Sequence, residues 1–169
     1  MKESLKNWLS AHNIDYILHQ HPAVFTVPEA KIHCGHIEGT HCKNLFLKNK
    51  KTDQFYLVTI PQDKRLDLNE FRRMVGAPKI RFAEAEDLSN VLGITPGAVS
   101  PIGLVNDIEN RTIFIVDAEV WDANEICCHP NNNSETLQIP GSEFQKLIKA
   151  TGNIIKTKKL PYSEPLVED

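Results

Sequence analysis

The run from Lys43 to Pro61 constrains the fold of this chain most. Lys43 to Lys48 has a strand pattern, Asn49-Lys50-Lys51-Thr52-Asp53 is a polar turn, and Gln54 to Ile60 alternates until Pro61 closes it, so the two halves read as a hairpin. A hairpin fixes one antiparallel pair of the sheet. It also puts a lysine at the mouth of an apolar run, where a buried ammonium is costly unless an anionic group meets it. Lys43 is therefore expected to meet a ligand, while Leu45 and Leu47 on one face and Phe46 on the other anchor the strand that carries it.

The rest of the chain supplies neighbours for that pair. Leu5, Trp8 and Leu9 predict a short amphipathic helix ending near His12, and Asp15 to His21 predicts a strand closed by Pro22. Thr26-Val27-Pro28-Glu29 has capping-box spacing and opens a helix that runs into His33 and stops by Gly35. Asp67-Leu68-Asn69-Glu70 opens another, stopped by Gly76; Lys79 to Phe82 is a short strand, and Glu84 to Leu92 is helical up to Gly93. From Ile94 to Leu104 two prolines and two glycines exclude a regular helix and predict a shaped loop. Arg111 to Asp117, Glu125 to Cys128 and Ser134 to Ile139 read as strands. Ser142 with Gln145 opens a helix that buries Phe144, Leu147 and Ile148, and Ile154 to Thr157 is a last strand. This irregular interleaving predicts the α/β (mixed) class, with a mixed, curled or barrel-like sheet of about seven strands flanked by helices. One domain is expected over 1–160, followed by an unstructured tail at 161–169.

Composition narrows the function. At 169 residues, 41% hydrophobic and 24% charged, the chain fits one domain with a core of its own. No window resembles a membrane span or a signal peptide, which predicts a cytoplasmic protein. Cys34, Cys42, Cys127 and Cys128 are too few for a disulfide framework and are expected to be reduced. A net charge of −3 argues against a protein that coats nucleic acid through a broad basic face. Basic residues do cluster at Lys48, Lys50 and Lys51, at Arg72 and Arg73, and at Lys156, Lys158 and Lys159, as solvated faces commonly do. His33, Cys34, His36, His41 and Cys42, with Cys127, Cys128 and His129, raise the alternative of a metal site, but their spacing fits no zinc module and adjacent strand cysteines point to opposite faces. No metal is expected.

Three places combine polar chemistry with backbone constraint: Lys43-Asn44, the loop from Gly97 to Gly103, and His129-Pro130 with Asn133. Each alone has an ordinary structural explanation. Together with His21-Pro22 and Thr26-Val27, the block His41-Cys42-Lys43-Asn44-Leu45-Phe46-Leu47, the loop Gly97-Ala98-Val99-Ser100-Pro101-Ile102-Gly103-Leu104, and Asn133-Ser134 and Thr136 after His129-Pro130, they give the chain a specific likeness. It resembles the YbaK/ProX family of aminoacyl-tRNA deacylases, whose fold also occurs as the editing domain inserted in bacterial prolyl-tRNA synthetases. The Lys-Asn-Leu-Phe-Leu form is similar to the free-standing ProX type.

That resemblance implies hydrolysis of the ester of mischarged tRNA(Pro), foremost Ala-tRNA(Pro), by a positioned water with no covalent intermediate and no cofactor. It implies catalytic roles for Lys43, Gly97 and Ser100, and substrate-binding roles for Asn44, Pro101, Gly103, His129, Asn133, Thr136 and Thr26. Lys43 would anchor the adenosine phosphate or polarise the ester carbonyl, and His129 would bind or shape the pocket more than act as a base. The implied partners are the acceptor 3′ end of tRNA(Pro) and, as a second candidate, prolyl-tRNA synthetase, with neither DNA nor a membrane. A deacylase for cysteine or serine and a non-catalytic tRNA-binding module are the alternatives. Asn131, Asn132 and Glu135 depart from the family pattern, and a pocket-facing Glu135 would alter amino-acid choice; Cys42 stands where threonine is more usual and is expected to leave Lys43 in place.

Overall fold

The computed structural model describes residues 1–164. Strands β2 (Thr40–Asn49) and β3 (Phe55–Pro61) form the expected hairpin, with Lys43 opposite Ile60, Asn44 opposite Thr59 and Phe46 opposite Leu57. Every residue of β3 is buried. Because side chains alternate along a strand, β3 serves two cores at once. Phe55 and Leu57 enter one with Phe46, Phe114 and Val116, whereas Tyr56, Val58 and Ile60 enter another with Leu47, Phe71 and Ile115. Burying each of these side chains stabilises the fold by about 1.5–3 kcal/mol.

Around the hairpin lie β1 (Ile17–Gln20), β4 (Ile80–Phe82), β5 (Thr112–Asp117), β6 (Glu125–Cys128), β7 (Glu135–Pro140) and β8 (Ile155–Lys158). They form one sheet in the order β1-β7-β6-β2-β3-β5-β8, with β4 on β2. Pairs β2–β6, β3–β5 and β5–β8 are parallel and the others antiparallel, so the sheet is mixed, as expected; it is also open, running from β1 to β8. The helices are α1 (Glu3–Ala11), α2 (Val27–Cys34), α3 (Leu68–Met74), α4 (Ala85–Asp87, continued by a π turn over Leu88–Leu92), α5 (Ala118–Trp121) and α6 (Gly141–Ala150). None of the described helices is long and apolar enough to cross a membrane.

Four local expectations change. The second half of the Pro/Gly loop is a 3-10 helix over Pro101–Asn106, because proline suits a first helical turn and the Ser100 hydroxyl caps the Ile102 N–H at 3.1 Å. Helix α6 starts at Gly141 without the Ser142–Gln145 capping box: Gly141 N–H donates to the Asn124 carbonyl, and Gln145 Nε2 donates to the Trp121 carbonyl at 2.8 Å. In α2, Thr26 caps the Glu29 N–H as expected, but Glu29 reaches back to the N–H of Phe25, not of Thr26. The start of the supposed tail is tied down: Tyr162 bridges Leu66, its hydroxyl donates to Asp117, and Ser163 N–H donates to the Arg65 carbonyl. Positions 165–169 of that tail lie outside the described residues.

One irregularity of the sheet positions the site. On the side away from β3, β2 pairs β6 only at Thr40 and His41 and β4 only from Leu47 to Asn49. The stretch between, which carries Cys42, Lys43 and Asn44, has no strand beside it among the described residues.

Candidate active site

A cavity of about 270 Å³ opens at that split edge. Cys42, Lys43 and Asn44 line it from β2, Gly97 and Val99 from the loop, His129 from the end of β6, and Val24 to Val27 with Ala30 from the start of α2. The loop is held there by Ser100, which is fully buried and whose hydroxyl donates to the His129 carbonyl while accepting from Ile102. Loop and strand end are thereby joined.

Lys43 is half-buried and, among the described residues, makes no ion pair. Burial lowers its pKa from the usual 10.5, the Arg65 guanidinium lowers it further, and the Asp63 carboxylate partly opposes them. An under-compensated ammonium gains from an approaching negative charge. Asn44 is oriented by Thr59, whose hydroxyl donates to Asn44 Oδ1 at 2.6 Å; the amide NH₂ of Asn44 is thereby the group left for a ligand. His129 donates Nδ1–H to the Glu135 carbonyl at 2.9 Å, which leaves Nε2 as an acceptor. Burial, against the pull of that carbonyl and aided by His21 and His41, lowers the imidazole below its usual 6.5 and keeps it neutral at pH 7.

Of the residues expected at the site, the structure brings Lys43, Asn44, Gly97, His129 and Thr26 to the cavity. Gly97 has φ +88°, a left-handed backbone that favours glycine, and only Phe25 lies near where a Cβ would project. The other five lie behind the lining. Ser100 is the clip just described, and Pro101 is buried at the first turn of the 3-10 helix. Gly103 is small for packing, since a Cβ there would come within 2.5 Å of Ile94 Cδ1. Asn133 accepts the Val24 N–H through its carbonyl. Thr136 is buried, and its hydroxyl donates to His21 Nε2 at 2.9 Å, the other ring nitrogen of His21 donating to the Pro22 carbonyl.

Glu135 does not face the cavity: it accepts from the Met1 ammonium and from Asn132 Nδ2. The Met1, Asn132 and Gln20 contacts outweigh burial and hold its carboxyl below the usual range. Two of the residues considered as metal ligands have other partners. Cys127 donates to the Glu38 carbonyl and His41 contacts the Ile37 carbonyl, burial, with Glu125 and Cys34, pushes the Cys127 thiol up to about 12, and no three His, Cys, Asp or Glu among the described residues are grouped to hold a metal. Phe25, Thr59, Val99 and Gln62 are site residues that the sequence reading missed. Phe25 carries the one usable signal, an aromatic residue just before the Thr26 helix cap; in the structure it is 72% exposed.

An ammonium, an amide and a neutral imidazole meet apolar side chains around one cavity, an arrangement with the chemistry to hold and polarise an acyl group. Residues 21–147 match the aminoacyl-tRNA editing domain model. The chain is 33% identical over 160 residues to the prolyl-tRNA editing protein ProX of Acetoanaerobium sticklandii, covering 94% of this chain and 97% of that protein. It is 35% identical over 153 residues to the prolyl-tRNA synthetase associated domain-containing protein 1 of Danio rerio, covering 89% and 83%. A crystal structure described as a candidate trans-editing enzyme for prolyl tRNA synthetase shares the fold, with a TM-score of 0.70 at 22% identity over 98% of this chain and 99% of that one. The chain belongs to the aminoacyl-tRNA editing domain family.

Proposed function

We propose that this chain, an aminoacyl-tRNA hydrolase by family, clears alanine from mischarged tRNA(Pro) in the cytoplasm. The observation that carries the reading is the convergence of Lys43, Asn44 and His129 on one cavity with apolar walls. Water adds to the ester carbonyl carbon, the oxyanion forms beside the Lys43 ammonium, and collapse breaks the C–O bond to the ribose, whose oxygen takes up the proton that the attacking water gives up. Asn44 donates its NH₂ to the acyl or ribose oxygens. Neutral His129 accepts a hydrogen bond from the substrate's α-ammonium. Val24, Ala30 and Val99 form the apolar part of the lining, against which the methyl group of an alanyl ester would pack. Such a second sieve is useful because a proline pocket rejects the smaller alanine by only about 1–3 kcal/mol.

Incubation with Ala-tRNA(Pro) tests the reading. Many molecules of free alanine released per protein are expected, whereas retention of intact Ala-tRNA(Pro) without release would mark a tRNA-binding module. Association with prolyl-tRNA synthetase would bring this sieve to newly charged tRNA, and co-purification of the two proteins checks it.

Two further outcomes follow from the geometry. Thr59→Val removes the hydroxyl that orients Asn44 and is expected to lower kcat/KM about fivefold, as loss of one positioning hydrogen bond of about 1 kcal/mol does; steady-state deacylation should show this with the melting temperature little changed. Because the folded pKa of His129 lies below 6.5, kcat/KM should be level through neutral pH and fall only in acid, below the ordinary histidine range. The stability that neutral His129 supports is complete above pH 6.5 and is lost as pH falls through the lower folded value. His129→Gln should abolish that acid limb in both the rate profile and the stability profile.

A further inference from the structure

A second cleft, of about 510 Å³, adjoins the cavity and shares Lys43, Val27 and Gln62 with it. Asn44 lines the first and not the second. We propose that this cleft is the track for the backbone phosphates of the single-stranded 3′ end of the RNA, held by Lys64 and Arg65 beside the ring of Tyr162.

The inference rests on the deacylase reading above. An ester held at Lys43 is attached to a nucleotide chain that must leave the cavity, and the second cleft is continuous with it. The walls of that cleft are fixed by two backbone contacts and one between side chains: Asp67 N–H donates to the Pro161 carbonyl at 3.0 Å, Ser163 N–H donates to the Arg65 carbonyl at 2.9 Å, and the Tyr162 hydroxyl donates to the Asp117 carboxylate. Lys64 and Arg65 are exposed on this fixed backbone, and Lys64 Nζ lies 5.8 Å from the centre of the Tyr162 ring. A guanidinium and an ammonium that line one cleft suit successive phosphates. Two carboxylates also line the cleft. Asp63 is paired with Lys31 at 2.6 Å, and Glu164 is exposed at the rim. Phosphates bound at Lys64 and Arg65 leave Lys43 to the ester carbonyl, which separates the two roles open to it from sequence.

The test compares wild type with Lys64→Ala/Arg65→Ala on three alanyl esters: full-length tRNA(Pro), the trinucleotide CCA, and adenosine alone. The double variant is expected to lose about tenfold or more in kcat/KM on the tRNA and on the trinucleotide, through KM, with the slope of log KM against log salt flattened by about 0.7 per lost phosphate contact. On alanyl-adenosine it should stay within about twofold of wild type, since that ester has no phosphate to lose. Equal loss on all three esters, loss on full-length tRNA alone, or no loss would overturn the proposal. A wild type inactive on all three would instead overturn the deacylase reading beneath it.

Discussion

Lys43→Ala is expected to lower kcat/KM for Ala-tRNA(Pro) by about 10²- to 10³-fold, the range for removing one preorganised group from a developing oxyanion. The fold should survive. Lys43 is half-buried, makes no ion pair among the described residues, and its charge is disfavoured by burial and by Arg65, so a neutral side chain is expected to leave the melting temperature unchanged or raised. An inactive and fully stable variant is the signature of a charge kept for function. Lys43→Arg should recover only part of the activity, because the planar guanidinium cannot place its charge where the compact ammonium does.

Ser100→Ala should behave differently, by losing stability and activity together. Its hydroxyl joins the His129 carbonyl to the Ile102 N–H in a fully buried position, and the alanine variant leaves both without that partner, at about 1–3 kcal/mol. The clip also sets the distance between the Gly97 loop and β6. A shift of about 1 Å there costs on the order of a hundredfold in rate, so deacylation and thermal unfolding should fall in the same variant. Were Ser100 to hold the attacking water directly, kcat alone would drop, with the unfolding curve less affected.

The difference between Lys43 and Ser100 shows what sequence could and could not convey. Strand order along the chain, the hairpin, most helix starts and the class of sheet follow from local patterns, because alternation and caps are written in neighbouring residues. Lys43 was legible for the same reason: a lysine leading an apolar strand is a local anomaly. Whether a residue of the Gly97–Gly103 loop faces a ligand or a neighbouring element depends on packing at long range. Pro101, Gly103, Asn133 and Thr136 support the site from behind, and nothing near them in sequence distinguishes that from contact. Thr59 was illegible for the converse reason, since it meets Asn44 only through the register of β2 on β3. The basic clusters singled out by composition are not at the cavity either. Lys48 pairs with Asp53 and Asp87 at 3.5 Å and Arg73 pairs with Glu70, whereas Lys64 and Arg65, unremarkable in sequence, stand beside it.

The central claim, that one cavity hydrolyses a small aminoacyl ester and turns proline away, is tested most directly by the initial rates of deacylation of Ala-tRNA(Pro) and Pro-tRNA(Pro), measured side by side with the same tRNA and with Cys-tRNA(Pro) as a third substrate. Rapid release of alanine is expected, with a prolyl ester that decays no faster than it does without the protein. A prolyl ester cleared as fast as the alanyl ester would contradict that claim.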